Sequence, residues 1–243
     1  LLDSDDYIAQ DKLAKVVTNF QNHPEWVQIA NYWTAVDQEG LPIRHYTLKT
    51  LSQGDVRSLL LKRGKYKVAL TSALAYRRET LQQVLPLPSR GSADGYLMLT
   101  VPFYGQVGSI KEPLTFYRIH GKNKFARTTN LSKLIYRREL RASQINQTAA
   151  RTGLTERFDL QQDGDYRLYK AIERGSVPWT ESLQIIWLIL QENIAIRRRP
   201  RKILTKLIGS TICVLFPSEG RTIISSGLNS YLRSKLLGKT LGG

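Results

Sequence analysis

At 243 residues the chain is long enough for one large domain or a domain with an appendage. Its 42% hydrophobic and 23% charged residues, with six Phe, twelve Tyr and four Trp, exclude a chain that is disordered throughout. The net charge of +16 is uneven: 16 Lys+Arg face 11 Asp+Glu over residues 1–126, and 20 face 9 over residues 127–243. Such a basic second half calls for an anionic partner, whether a membrane surface, a nucleic acid or a phosphorylated substrate.

In chain order, Leu1-Leu2 reads as the end of a buried strand that runs into the acidic turn Asp3-Ser4-Asp5-Asp6. Leu13, Val16, Val17 and Phe20 recur at helical spacing and predict a helix over 11–20. Aromatic and branched residues over 26–36 predict a strand, closed by the turn Asp37-Gln38-Glu39-Gly40. A short helix over 53–61 and a buried strand over 67–74 follow. The helix over 78–84 is stopped by Pro86 and Pro88, and a further helix over 94–103 leads to a short strand over 107–110. This alternation predicts an α/β layer fold.

Past residue 127 the character changes. Residues 131–146 and 165–174 read as polar, Arg-rich helices, and 181–196 as a strong helix with Leu183, Ile186, Trp187 and Leu190 on one side. The basic knot Arg197-Arg198-Arg199-Pro200-Arg201-Lys202 comes next, then an apolar stretch over 203–216 that contains Lys206. That stretch is shorter than the roughly 20 residues a membrane span takes. Cys213 lies within it as the chain's single cysteine, which excludes an internal disulfide framework and a Cys-rich zinc site and fits a reducing cytoplasm. The sequence opens on Leu1, and its sole methionine is Met98, so a chain continued upstream is expected.

Three carboxylates in four residues directly after a strand repel one another unless a cation neutralises them. Mg²⁺ or Mn²⁺ accepts such ligands and also binds substrate phosphates; a solvated acidic loop is the alternative. A calcium loop starting at Asp3 would need Gly at its sixth place and Glu at its twelfth, where Ile8 and Ala14 stand.

The order of motifs adds a resemblance. Leu2-Asp3-Ser4-Asp5-Asp6 resembles the strand-end DXD motif of family 2 glycosyltransferases, which have the GT-A fold. The helix with Lys12-Leu13, then Pro24-Glu25 and Asp37-Gln38-Glu39-Gly40, are similar to that family too. So are Ala73-Leu74-Ala75-Tyr76-Arg77-Arg78-Glu79-Thr80-Leu81 and, after Leu85-Pro86-Leu87-Pro88, Ala93-Asp94-Gly95-Tyr96-Leu97. Gly105-Gln106-Val107 and the segment from Glu112 through Arg118, His120 and Asn123 resemble the family's closing block. Relatives that add rhamnose or similar sugars to cell-surface polysaccharides are the most alike.

The resemblance covers residues 1–126 and implies the metal and acceptor side of a GT-A domain that lacks its N-terminal, nucleotide-binding strands. A mainly helical basic region, 127–243, would follow. It implies an inverting hexosyl transfer from a nucleotide-diphospho-sugar to a saccharide or lipid-linked saccharide. Asp3 and Asp5 would bind Mn²⁺ or Mg²⁺ and the donor, with Asp5 the direct ligand and Asp6 a supporting carboxylate. Asp94 would be the general base, although Asp before a helix is also a favoured cap. Arg118 and His120 would lie near the leaving diphosphate; His120 could instead ligate the metal, and Arg118 could simply pair with a carboxylate. Ala93 departs from the acidic residue or His that the family commonly has before its base. The chain as given is expected to bind nucleotide-sugar poorly and to turn over little.

For the basic region two readings stand: a helical bundle packed on the catalytic part, or a peripheral contact with the anionic inner face of the cell membrane. The rivals to the transferase reading are a nucleic-acid binder, which explains +16 but not the acidic turn, and an inactive scaffold derived from a transferase.

Overall fold

The computed structural model describes residues 1–46, 51–120 and 130–237. The chain divides into two compact units, the first of residues 1–124 and 143–158, the second of 125–142 and 159–243.

The first unit is a mixed sheet flanked by helices. In chain order it holds β1 (Tyr7–Ile8), α1 (Lys12–Asn22), β2 (Trp26–Val36), β3 (Pro42–Tyr46), α2 (Arg57–Arg63), a 3-10 turn (Thr71–Ala73) and β4 (Leu74–Tyr76). It continues with α3 (Arg78–Val84), α4 (Ala93–Thr100) and β5 (Gln106–Arg118), and also takes the second half of α5 (Leu131–Arg151). β2 is the spine. One of its edges runs parallel to β5, from Trp26 opposite Gln106 to Val36 opposite Arg118. The other edge is shared between antiparallel partners, β4 against Gln28–Ala30 and β3 against Trp33–Val36. β1 adds antiparallel to the far side of β5, with Tyr7 opposite Phe116.

A strand covered on both faces should be apolar almost throughout, and nine of the eleven residues of β2 are buried. Its polar members are satisfied locally. Gln28 Oε1 accepts from the Tyr66 hydroxyl at 3.0 Å, and Asn31 Nδ2 donates to Thr115 Oγ1 at 2.9 Å. Ile29 packs with Val16, Ile110 and Leu114 on α1 and β5, and Val27 with Val84, Tyr96, Leu97 and Val101. The Trp26 ring lies so close to Gly108 that an added Cβ there would sit 2.0 Å from it, so the β2–β5 pairing at that point requires glycine. Gly64 ends α2 at φ +61°, the left-handed conformation glycine supplies, and the Phe158 ring lies against it.

α1 departs from the sequence pattern. Lys12 and Val16 are buried and Phe20 packs with that core, whereas Leu13 and Val17 are exposed. The charged Lys12 takes a core position because its ammonium finds two oxygens there, Ser72 O at 2.7 Å and Thr115 Oγ1 at 3.0 Å. The predicted strand over 67–74 is also revised. Residues 67–70 carry no strand pairing, the chain turns at Thr71–Ala73, and only then does β4 begin.

The second unit is helical: the first half of α5, then α6 (Gly164–Arg174), α7 (Trp179–Ala195), α8 (Pro200–Leu215), α9 (Pro217–Ser226) and α10 (Leu228–Leu237). Leu168, Ala171, Ile172, Ile185, Ile189, Cys213, Val214 and Ile223 form its core. Burial there pushes the Cys213 thiol up to about 11, as expected of an inert thiol. Beside this core lies a network of charges. Arg138 on α5 reaches Asp163 at 3.2 Å and Asp165 at 2.7 Å, and Lys206 on α8 reaches Asp165 at 2.7 Å. Asp163 also caps α6 by accepting from the Tyr166 amide. Among the described residues no helix is long and apolar enough to cross a membrane.

Candidate active site

Every candidate residue from the sequence lies in the first unit, at the ends of β1 and β5 and around the 3-10 turn. The acidic turn closes on itself through the Asp6 amide, which donates to Asp3 O at 3.1 Å. It then runs into β1, whose pairing with β5 brings the end of β5 alongside. Arg118, the last residue of β5, donates its amide to Asp6 Oδ1 at 3.0 Å. Its guanidinium donates to Asp5 O at 3.0 Å, to Asp37 O at 3.2 Å and to Gln38 O. Arg118 thus ties the acidic turn to the turn at 37–40, and the partners these bonds supply are main-chain carbonyls rather than a carboxylate. Two residues on, His120 Nε2 lies 2.7 Å from Asp5 Oδ2. That hydrogen bond holds the Asp5 carboxyl below its ordinary range, so Asp5 is ionised at neutral pH.

Asp6 is in a different state. Burial raises its carboxyl above the ordinary range, with the nearby Ser72 hydroxyl and the Arg118 amide acting the other way. Its Oδ2 is buried without a hydrogen-bond partner among the described residues. A buried carboxylate oxygen left without a donor is costly, and a cation is one way to satisfy it. The donor set, exposed Asp3, half-buried Asp5 and the His120 imidazole, is of the oxygen and nitrogen type that suits Mn²⁺ or Mg²⁺. Asp5 and His120 are hydrogen-bonded to one another at 2.7 Å, so an ion held by both would take the place of the proton between them. Two protein ligands are enough for an ion that takes its remaining ligands from water and a diphosphate.

The described residues gather three potential ligand atoms within 4.8 Å not here but at Asp163, Asp165 and Glu192. Those oxygens are already in use. Arg138 and Lys206 pair with the two aspartates, and Glu192 accepts from the Gly164 amide at 2.7 Å. The trio is part of the buried charge network.

Asp94 stands in the first turn of α4, where the helix N-terminus favours a negative charge. The cap of that helix is Ser92, whose side chain accepts from the Gly95 amide, so Asp94 is not the cap. Asp94 Oδ2 accepts from Thr71 Oγ1 at 2.9 Å. Burial alone would raise this carboxyl, but hydrogen bonds from Ser92, the Gly95 amide and Thr71 outweigh it and leave the group below its ordinary range. Burial pushes the Tyr76 phenol up, and the charge of Asp94 adds to that.

The 3-10 turn joins the two halves of the site. Thr71 holds Asp94, and its neighbour Ser72 accepts the Asp3 amide on Oγ at 3.1 Å. Lys12 holds the same turn from below through Ser72 O; burial pushes its ammonium down to about 8, with the charge of Asp6 acting against that. Sequence reasoning gives no role to Thr71 or Ser72 and reads Lys12 only as part of a helix. The available signal is the position of Lys12, one helical turn before Val16 and two before Phe20, where a core residue belongs.

No protein-family model matches the chain. It is 31% identical over 200 residues to an uncharacterized glycosyltransferase of Nostoc sp.. That similarity takes in 78% of this chain and 62% of the relative, so the chain spans about three fifths of that protein's length.

Proposed function

We propose that residues 1–126 form the metal and acceptor side of an inverting, family 2 type glycosyltransferase that moves a hexose-type sugar from a nucleotide-diphospho-sugar to a saccharide or lipid-linked saccharide. The pathway proposed is the synthesis of cell-surface polysaccharide. The observation that carries the reading is the Thr71–Ser72 turn, whose consecutive residues hold Asp94 on one side and the acidic turn on the other. The similarity to the Nostoc glycosyltransferase supports the class of reaction.

Asp94, ionised at neutral pH, accepts the proton of the acceptor hydroxyl as that oxygen bonds to the anomeric carbon. The bond from that carbon to the donor's diphosphate breaks on the opposite face, and the diphosphate leaves with the electron pair. A positioned carboxylate in this role accelerates transfer by about 10²–10⁴-fold. Asp5 and His120, with Asp3 beside them, would hold Mn²⁺ or Mg²⁺. When bound, the ion supplies positive charge to the leaving diphosphate. Asp6 supports the turn's backbone through Arg118, and Arg118 fixes the turn rather than the substrate.

Titration with a nucleoside diphosphate in the presence and absence of Mn²⁺ tests this, using the protein with whatever sequence its gene places upstream. Binding that requires Mn²⁺ and is lost in Asp5→Ala is expected. Binding that ignores the ion would defeat the reading, and salt-sensitive binding to DNA in its place would turn it toward a nucleic-acid binder.

A further inference from the structure

α7 is apolar on two faces, and only one of them is used. Ile185, Leu188 and Ile189 are buried, and two of them enter the core of the second unit. The opposite side carries Trp179, 67% exposed, Leu183, Trp187 and Ile194, the last two each 58% exposed. Leu190, half-buried, lies on the same line. At 3.6 residues per turn these five positions fall within an arc of about 80° and run about 22 Å along the helix. Of the side read from the sequence as the helix's apolar face, Ile186 packs against the core, whereas Leu183 and Trp187 are exposed. α8 repeats the arrangement, with Leu204, Ile208 and Leu215 exposed and Arg201 on the same line one turn earlier.

Charge identifies the occupant. Over residues 179–215 there are six Lys or Arg and two carboxylates. Neither carboxylate is available at the surface: Glu192 is buried, and Glu181 is paired with Arg174 at 2.5 Å. Of the cations, Lys206 is spent on Asp165, whereas Arg197 and Arg199 between the two helices and Arg201 and Lys202 in the first turn of α8 are exposed. An exposed apolar stripe with two Trp, next to a cluster of cations and free of exposed carboxylates, matches the boundary between acyl chains and anionic headgroups.

We infer that the α7–α8 hairpin docks flat on an anionic lipid bilayer, the Trp179–Ile194 stripe entering the interfacial layer and Arg197–Lys202 meeting lipid phosphates. This stands apart from the transferase reading, and neither depends on the other.

The test is co-sedimentation of the 243-residue chain with phosphatidylcholine vesicles, with and without phosphatidylglycerol, at low and high salt. Binding is expected only with phosphatidylglycerol and is expected to weaken as salt rises. Trp179→Ser with Trp187→Ser should lower the partition constant about tenfold or more. Arg199→Gln and Arg201→Gln should each lower it about fivefold. These side chains are exposed, so thermal unfolding should be unchanged. If the Trp variant does not fold, quenching of the unaltered chain's Trp emission by bromine-labelled lipid replaces it, and absence of quenching overturns the inference. So does a failure to bind phosphatidylglycerol vesicles, or equal binding by the Trp variant. A concentration-dependent dimer that the Trp substitutions abolish would show a second copy to be the occupant, and would overturn it as well.

Discussion

Thr71 donates its hydroxyl to Asp94 at 2.9 Å, and the bond does two things at once. It ties the carboxylate of α4 to the residue next to Ser72, which holds the acidic turn, and it stabilises the charged form of Asp94. Removing it should therefore change the acidity of the site more than its shape. In Thr71→Val the Asp94 carboxyl loses one of the bonds that keep it below its ordinary range, so its pKa rises. The ionised base is then present only above a higher pH. The acid limb of the kcat profile should move to higher pH, with the melting temperature nearly unchanged. An unmoved limb would separate Thr71 from the proton transfer.

Asp94→Asn keeps the size of the side chain and an oxygen that can still accept from Thr71. It removes the only form able to take a proton. Transfer should fall by about 10²–10⁴-fold while the affinity for donor diphosphate and Mn²⁺ stays within a factor of two or so. A variant that lost donor binding and kept its kcat would assign Asp94 to the donor instead.

What can be read from the sequence is local and strongly patterned. The strand over 26–36, rich in aromatic and branched residues, and the helix over 78–84, stopped by Pro86, each have an element in the structure. The chain does turn at Ser4-Asp5, but Leu1 and Leu2, read as the end of a buried strand, are exposed and carry no strand pairing. β3 escapes such a reading because Pro-Ile-Arg-His-Tyr lies at a sheet edge, exposed along most of its length, and has no apolar face to betray it. β5 runs thirteen residues through Pro113, which reads as a breaker. The β2–β5 register shifts beside it, so that Ile110 faces Asn31 while Pro113 faces Tyr32, and such an irregularity tolerates a residue with no amide hydrogen. The burial of Lys12 depends on Ser72 and Thr115, 60 and 103 residues away, and no local pattern encodes that. The candidate site is legible as a set of acidic and basic residues, but the turn that joins them is not.

Asp5 and His120, 2.7 Å apart, make the metal prediction specific. Asp5→Ala should abolish Mn²⁺-dependent nucleotide binding. His120→Ala should weaken it about 10–100-fold, whether His120 ligates the ion or orients Asp5. Titration calorimetry with Mn²⁺ and a nucleoside diphosphate reads both. If His120→Ala binds as the parent does, the pair is structural only.

Asp6 should show a conflict between stability and function. Its pKa is raised in the folded state, so any stability it contributes is complete below the unfolded value near 3.8 and is lost as pH climbs through the folded one. At neutral pH the ionised, half-satisfied carboxylate is a cost. Asp6→Asn retains an acceptor for the Arg118 amide and removes the charge. Without added metal it should melt as high as the parent or higher at pH 7, by about 2–4 °C for each kcal/mol recovered, and the gap should close near pH 4 and below. Melting curves across pH check this. A variant much less stable at pH 7 would mean that the Asp6 charge is compensated within the chain.

In the second unit the largest single loss should follow from Arg138→Met. Arg138 sits between Asp163 and Asp165, and all three side chains are largely removed from water. Burial would favour an uncharged guanidinium, but the two carboxylates outweigh it and push Arg138 up, so the side chain stays charged. Methionine fills similar volume but removes the guanidinium that bridges the two buried carboxylates, leaving them to the nearby charges of Arg141 and, at 2.7 Å from Asp165, Lys206. Removing one partner from a buried ion pair costs about 3–5 kcal/mol, because the other charge is stranded. Asp163 also caps α6, so strain there should fray that helix first. Amide exchange should rise across α6 and α7 in the variant and stay low in β2 and β5. A loss of protection confined to the sheet, or none at all, would contradict the role given to Arg138.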